Sequence, residues 1–168
     1  MLDLFLFVLI VIVDQITKYL TELYIPFQSS VPVWKDVLEL ANVHNTGAAW
    51  GMFAGGRWIF IILTLVVCAF IVYFLRKEKR RLSKLARYAL VLIVAGAVGN
   101  LIDRTFLGYV RDMISVVLIH FPVFNVADSS VTIGAALLII DTIRNDENSF
   151  FRLLGLDEKK NDGKPDEE

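Results

Sequence analysis

Two carboxylates stand apart from the other ionisable groups of this 168-residue chain: Asp112, whose only nearby cation in the sequence is Arg111, and Asp128, which opens an apolar stretch with no adjacent cation. If the fold brings them within a few ångströms, they would repel, share one proton and titrate as a coupled pair. The ionised member could take a proton from water as that water attacks an amide carbonyl. The protonated member would hydrogen-bond the carbonyl oxygen and later help protonate the leaving nitrogen. Such chemistry needs no metal and no cofactor. Nucleophilic schemes fit less well, because Cys68 sits in an apolar run and Ser129 and Ser130 have no neighbouring His or Lys to activate them. His44 and His120 are isolated and match no metal-ligand spacing, so they read as surface or interface histidines.

Further polar residues fall at helical spacing around this pair. Asp14 and Lys18 are four apart and stack on one helix face, and Asn125 lies three before Asp128. Asn100, Asp103 and Arg104 make a second polar face, where Gly96 and Gly99 would let a neighbouring backbone approach closely. The alternative is structural: ion pairs of Asp14 with Lys18 and Asp103 with Arg104 whose only task is to hold helices together. Both readings stay open for those four residues. Asp141 reads as a solvated helix end beside Arg144.

The elements that must carry these groups are membrane helices. Hydrophobic residues make up 56% of the chain, and Trp58 to Leu75 runs 18 residues without a charge, about enough to cross 30 Å of hydrocarbon. Four spans can be drawn, at about 2–24, 58–75, 85–102 and 126–143, in an all-α membrane domain covering 1–156. The first reads as uncleaved, since no basic region precedes its apolar stretch and no small-residue cleavage site follows. Arg76, Lys77, Lys79, Arg80, Arg81, Lys84 and Arg87 crowd the loop between spans two and three, which by the positive-inside rule is cytoplasmic, as are both termini. Residues 157–168 form a charged, disordered cytoplasmic tail. Segments 25–57 and 103–125 are then extracytoplasmic. Short strands at Ser30–Val33 and Val116–Ile119 would build a small β-containing region there, with Trp34, Trp50 and Trp58 as interfacial anchors.

Helix rise then gives depths. Counted from the cytoplasmic end, Asp14 lies at about 18 Å, Asn100 at about 20 Å and Asp128 at about 22 Å, all near the outer leaflet. Ionisable groups inside spans are costly, so a layer of them at one depth argues for a site. A proton-coupled transporter is the competing class, but it would need polar groups across the membrane or at its midplane, and span two is uncharged while the inner halves of spans one and three offer only apolar and small residues. A structural subunit with the polar layer as interhelical glue is a third. Nucleic acid is an improbable partner at a net charge of -1.

Four strings, Asn45–Gly51 (NTGAAWG), Gly99–Arg104 (GNLIDR), Val110–Ile114 (VRDMI) and Phe124–Asp128 (FNVAD), occur in that order among the four spans. In this the chain resembles the lipoprotein signal peptidases (signal peptidase II), over nearly its whole length. Met113 and Trp50 stand where Phe is common in that family, and Ala97 where a second Gly is common. The resemblance implies that Asp112 and Asp128 are catalytic aspartates. It also implies that Asn45, Gly47, Asn100, Arg104 and Asn125 line the site, with Asp14, Lys18 and Asp103 in support. The implied reaction is cleavage of bacterial prolipoproteins just before a diacylglyceryl-modified cysteine, by a multi-pass protein of the bacterial cytoplasmic membrane. Its partners would be the lipidated precursor and membrane lipids. A monomer is expected, because no polar stripe is left for self-association.

Overall fold

The computed structural model describes residues 1–47, 55–78, 80–144 and 150–155. Four long helices, α1 (Leu2–Tyr24), α2 (Arg57–Glu78), α3 (Lys84–Phe106) and α4 (Val126–Ile143), are each long and apolar enough to cross a membrane. A short helix, α5 (Phe150–Leu153), follows. Three antiparallel strands, β1 (Ser30–Trp34), β2 (Leu38–Asn45) and β3 (Val110–Val116), form one sheet in the order β1-β2-β3.

Helix α3 packs against all three other long helices because its inward positions are small. Ala86, Ala89 and Ala95 are wholly buried, and a Cβ at Gly96 would collide with the carbonyl of Ala127 on α4. On α4, a Cβ at Gly134 would lie 2.7 Å from the Ala89 carbonyl oxygen. Small residues on both helices thus bring the backbones together where no hydrophobic effect drives association in lipid. Many large apolar residues of α1 and α2 point outward, among them Phe5, Ile12, Ile59, Ile62 and Val66, as spans bathed in acyl chains allow. Cys68 is packed into the apolar core beside Ile71 and Phe74.

One end of the bundle gathers the start of α1, the entry to α3 and the end of α4. Arg87 bonds Asp3 at 3.2 Å, and Ser83 caps α3 through Ala86 N while its hydroxyl donates to Asp141 Oδ1 at 2.5 Å. Asp141 is therefore 2% exposed and not a solvated helix end, since burial between Ser83 and the Phe150 amide supplies the partners water would have offered. The sheet lies at the other end.

Three further boundaries differ from expectation. Helix α2 begins at Arg57 and runs to Glu78, its basic last turn complementing the helix dipole. Helix α3 continues to Phe106, which puts Asp103 and Arg104 on a helix and not in the following segment; their charges are met within the fold, so the helix need not end at them. The Ser30–Val33 strand is present, but 117–119 is a 3₁₀ turn. His120 takes the left-handed conformation there, and β3 lies upstream, paired with β2. Trp34 and Trp58 are both exposed at the sheet end. Trp50, Lys79 and the tail 157–168 lie outside the described residues.

Candidate active site

Asp112 arrives on β3 and Asp128 on the first turn of α4, and both line a cavity of about 670 Å³. Asn125 couples them. As the N-cap of α4 it accepts from Asp128 N (2.9 Å), while Asp128 Oδ2 accepts from Asn125 N (3.1 Å), a reciprocal capping box. The remaining Asn125 amide donates to Asp112 Oδ1 at 2.7 Å and to Asn100 Oδ1 at 3.1 Å. One residue thus begins the helix and touches both carboxylates.

Each aspartate has a second amide donor. Asn45 Nδ2 donates to Asp112 Oδ2 at 3.0 Å and Asn100 Nδ2 to Asp128 Oδ1 at 2.7 Å. Strand register explains Asn45: β2 and β3 pair Val43 with Asp112 and Asn45 with Val110, so the asparagine reaches the carboxylate diagonally across the ladder. Burial, and then the neighbouring Asp128 charge, push the Asp112 carboxyl from 3.8 up to about 7, against the hydrogen bonds from Asn45 and Asn125. The Gly47 amide closes a turn onto Asn45 Oδ1, and the Gly47 carbonyl accepts from Arg104. Arg104 also lines the cavity, its guanidinium 5.0 Å over the Phe60 ring. Phe121, Val123, Phe124 and Ile133 make the rest of the wall largely apolar.

Behind this wall lies a buried charge cluster. Lys18, fully buried, places Nζ 2.8 Å from Asp14 Oδ2, 2.9 Å from Asn100 Oδ1 and 3.4 Å from Asp103 Oδ2, three acceptors for three ammonium hydrogens. Asp14 in turn accepts from Ala127 N at 2.9 Å, so a side chain of α1 satisfies a free amide at the start of α4. Gly99 leaves room for it: a Cβ there would lie 2.6 Å from Asp14 Oδ2.

The residues singled out in the sequence therefore assemble at one end of the bundle, with one pairing changed. Asp103 bonds Lys18 and Arg111, not Arg104, because successive residues on a helix point about 100° apart. Sequence reasoning passed over Gln15 and Glu22, and credited Arg111 only as a neighbour of Asp112. Glu22 continues the Asp14–Lys18 stripe by another four residues, a signal that was available. His44 is not isolated: it stacks on Tyr109 at 3.9 Å and lies 3.2 Å from Glu22. Among the described residues no group of three or more His, Cys, Asp or Glu could hold a metal ion.

This architecture has known counterparts. It superposes on a bacterial membrane enzyme solved in meso at 2.3 Å resolution with a TM-score of 0.79 and 36% sequence identity, covering 85% of this chain and 88% of that one. The lipoprotein signal peptidase of Brevibacillus brevis is 43% identical over 132 residues, which is 79% of this chain and 88% of that protein. That of Geobacillus kaustophilus is 42% identical over 133 residues, covering 78% and 86%. The family model for signal peptidase (SPase) II matches residues 6–144, and the chain belongs to that family.

Proposed function

We propose that this membrane protein is an aspartyl endopeptidase that removes the signal peptide of bacterial prolipoproteins, cutting before the diacylglyceryl-modified cysteine, with Asp112 and Asp128 as its catalytic dyad. The observation that carries the assignment is that both carboxylates meet at one cavity, joined through Asn125, where burial and the Asp128 charge push the Asp112 carboxyl up to about 7. In the resting pair Asp112 holds the shared proton and Asp128 is ionised. Asp128 then accepts a proton from the attacking water. Asp112 donates a hydrogen bond to the scissile carbonyl as its oxygen gains charge, and the proton taken from water passes to the leaving nitrogen. Asn45, Asn100 and Asn125 hold the two carboxylates, while Arg104 and Gly47 line the approach.

The orientation follows from charge. Arg76, Lys77 and Arg87 share the end that holds both the start of α1 and the close of α4, so we read that end, with both termini, as cytoplasmic. The cavity then opens at the extracytoplasmic face. A diacylglyceryl chain seated in the outer leaflet would bring the adjacent peptide bond to that depth, and the apolar wall of Phe121, Phe124 and Ile133 suits such a neighbour. We take the enzyme as a monomer of one domain over 1–156, with the site complete within one chain. A transport path gains no support, because the ionisable cluster behind the cavity stays at the sheet end.

Asp112→Asn and Asp128→Asn test the dyad. Each should give a folded, membrane-inserted protein whose cleavage of a lipidated precursor in detergent falls by more than about a thousandfold. Normal processing by either variant would refute the assignment.

A further inference from the structure

Consecutive residues of a strand point to opposite faces, and β3 uses this. Asp112 faces the cavity, and Arg111, one residue earlier, faces the outer ends of α1 and α3. There its side chain is 12% exposed and its guanidinium makes four hydrogen bonds. Nη2 donates to Asp103 Oδ1 at 2.7 Å and Gln15 Oε1 at 3.0 Å, Nε to Asp103 Oδ2 at 3.2 Å, and Nη1 to Glu22 Oε2 at 3.1 Å. The Arg111 backbone amide also donates to Asp103 Oδ2, at 3.0 Å. Glu22 receives in addition the Tyr109 hydroxyl and lies beside His44 of β2, which pairs in register with Arg111.

Glu22, a third carboxylate on Arg111, is partly exposed to solvent, so the charges that must be balanced within the protein behind the dyad are the fully buried ones. Asp14 and Asp103 are both fully buried, and two cations, Lys18 and Arg111, meet them. Because Arg111 takes the closer contacts to Asp103, Lys18 remains 3.4 Å from that carboxylate and spends a hydrogen on Asn100 Oδ1. Asn100 Oδ1 also accepts from Asn125, so its amide nitrogen has to face Asp128.

We propose that Arg111 is a positioning residue of the catalytic reaction: by neutralising Asp103 it releases Lys18 to orient Asn100, and through Asn100 it holds Asp128 ready to act as base. This rests on the dyad reading above. Without Arg111, two buried carboxylates compete for one ammonium, Lys18 is drawn toward Asp103, and Asn100 loses the bond that fixes its amide. An unbalanced negative charge also remains near the dyad. Both changes act in one direction, holding the shared proton more tightly, while the hydrogen bond of Arg104 goes to the Gly47 carbonyl.

Arg111→Gln should lower kcat about tenfold with KM nearly unchanged, and move the alkaline limb of the pH profile upward by about half a unit to one unit. Arg111→Lys, which keeps the charge without the fork, should keep the limb in place and recover part of kcat. The double variant Arg111→Gln/Asp103→Asn removes one charge of each sign and should return the limb toward its original pH. Should Arg111→Gln not fold, the lysine and double variants carry the test by themselves. A folded Arg111→Gln with unchanged kcat and limb would overturn the role, as would a limb displaced in Arg111→Lys or in the double variant. Asp112→Asn in the same assay separates the two readings: if it is active the dyad fails, whereas a dead Asp112→Asn with an unmoved Arg111→Gln limb refutes only Arg111.

Discussion

The two ends of the helical bundle bury carboxylates in opposite ways. At the basic end, Asp141 is met by one hydroxyl and one backbone amide, from Ser83 and Phe150, and the arrangement closes on itself. At the sheet end, Asp14, Asp103, Asp112 and Asp128 are met by Lys18, Arg111 and three asparagines in a continuous network that borders a cavity. A lone carboxylate with local partners fastens helices. A chain of them, with the Asp112 carboxyl pushed up to about 7, suits the proton transfer proposed for the dyad.

The contrast can be broken most forcefully at Lys18. Lys18→Met leaves Asp14 without its cation and Asp103 with one fewer, both fully buried, and should cost about 3–5 kcal/mol of stability. Thermal unfolding in detergent checks this, and a melting temperature within a degree or two of the parent would show that the cluster is not held by that ammonium. The second test is pH. Because the folded Asp112 carboxyl titrates near 7, it is protonated below that pH and ionised above it, so kcat/KM should fall about tenfold per unit as pH rises beyond 7. A profile flat to pH 9 would contradict a dyad working with one shared proton. The smallest effect belongs to the basic end. Ser83→Ala removes an N-cap and a donor to Asp141, and should cost about 1–2 kcal/mol in stability while leaving cleavage rates unchanged. A fall in activity comparable with that of the Arg111 variants would erase the distinction between the two ends.

Much of this was legible in the sequence, and the reasons are physical. Spans are read well because lipid demands long apolar runs, and α1 and α4 have the expected bounds. Polar residues in those runs are costly, so Asp14, Lys18, Asn100 and Asp128 announced themselves and do converge. What could not be read was partner choice across elements. Asp103 and Arg104 are adjacent in sequence yet face different neighbours, one the buried cluster and the other the cavity. Asp141 looked exposed because nothing local reveals that Ser83, 58 residues away, lies against it. The strand error has a similar source: Val116 to Ile119 has the composition of a strand, but β2 offers it a partner only as far as Val116.

The pairing of Ile114 with Phe124 has a bearing on how such a protein can change over evolutionary time. Ile114 N donates to Phe124 O at 2.7 Å and Phe124 N returns a bond to Ile114 O at 3.0 Å, so the chain is clasped just after Asp112 and just before Asn125. Beyond the end of β3 at Val116, residues 117 to 123 are an excursion whose ends are already tied. Lengthening a closed loop costs only about 0.6 kcal/mol per doubling, and the clasp keeps that change from reaching either aspartate. Residues 117–123, which include Phe121 and Val123 of the cavity wall, are thus where new precursor preferences can be tried by insertion and deletion while Asp112 and Asp128, the proposed dyad, stay in register.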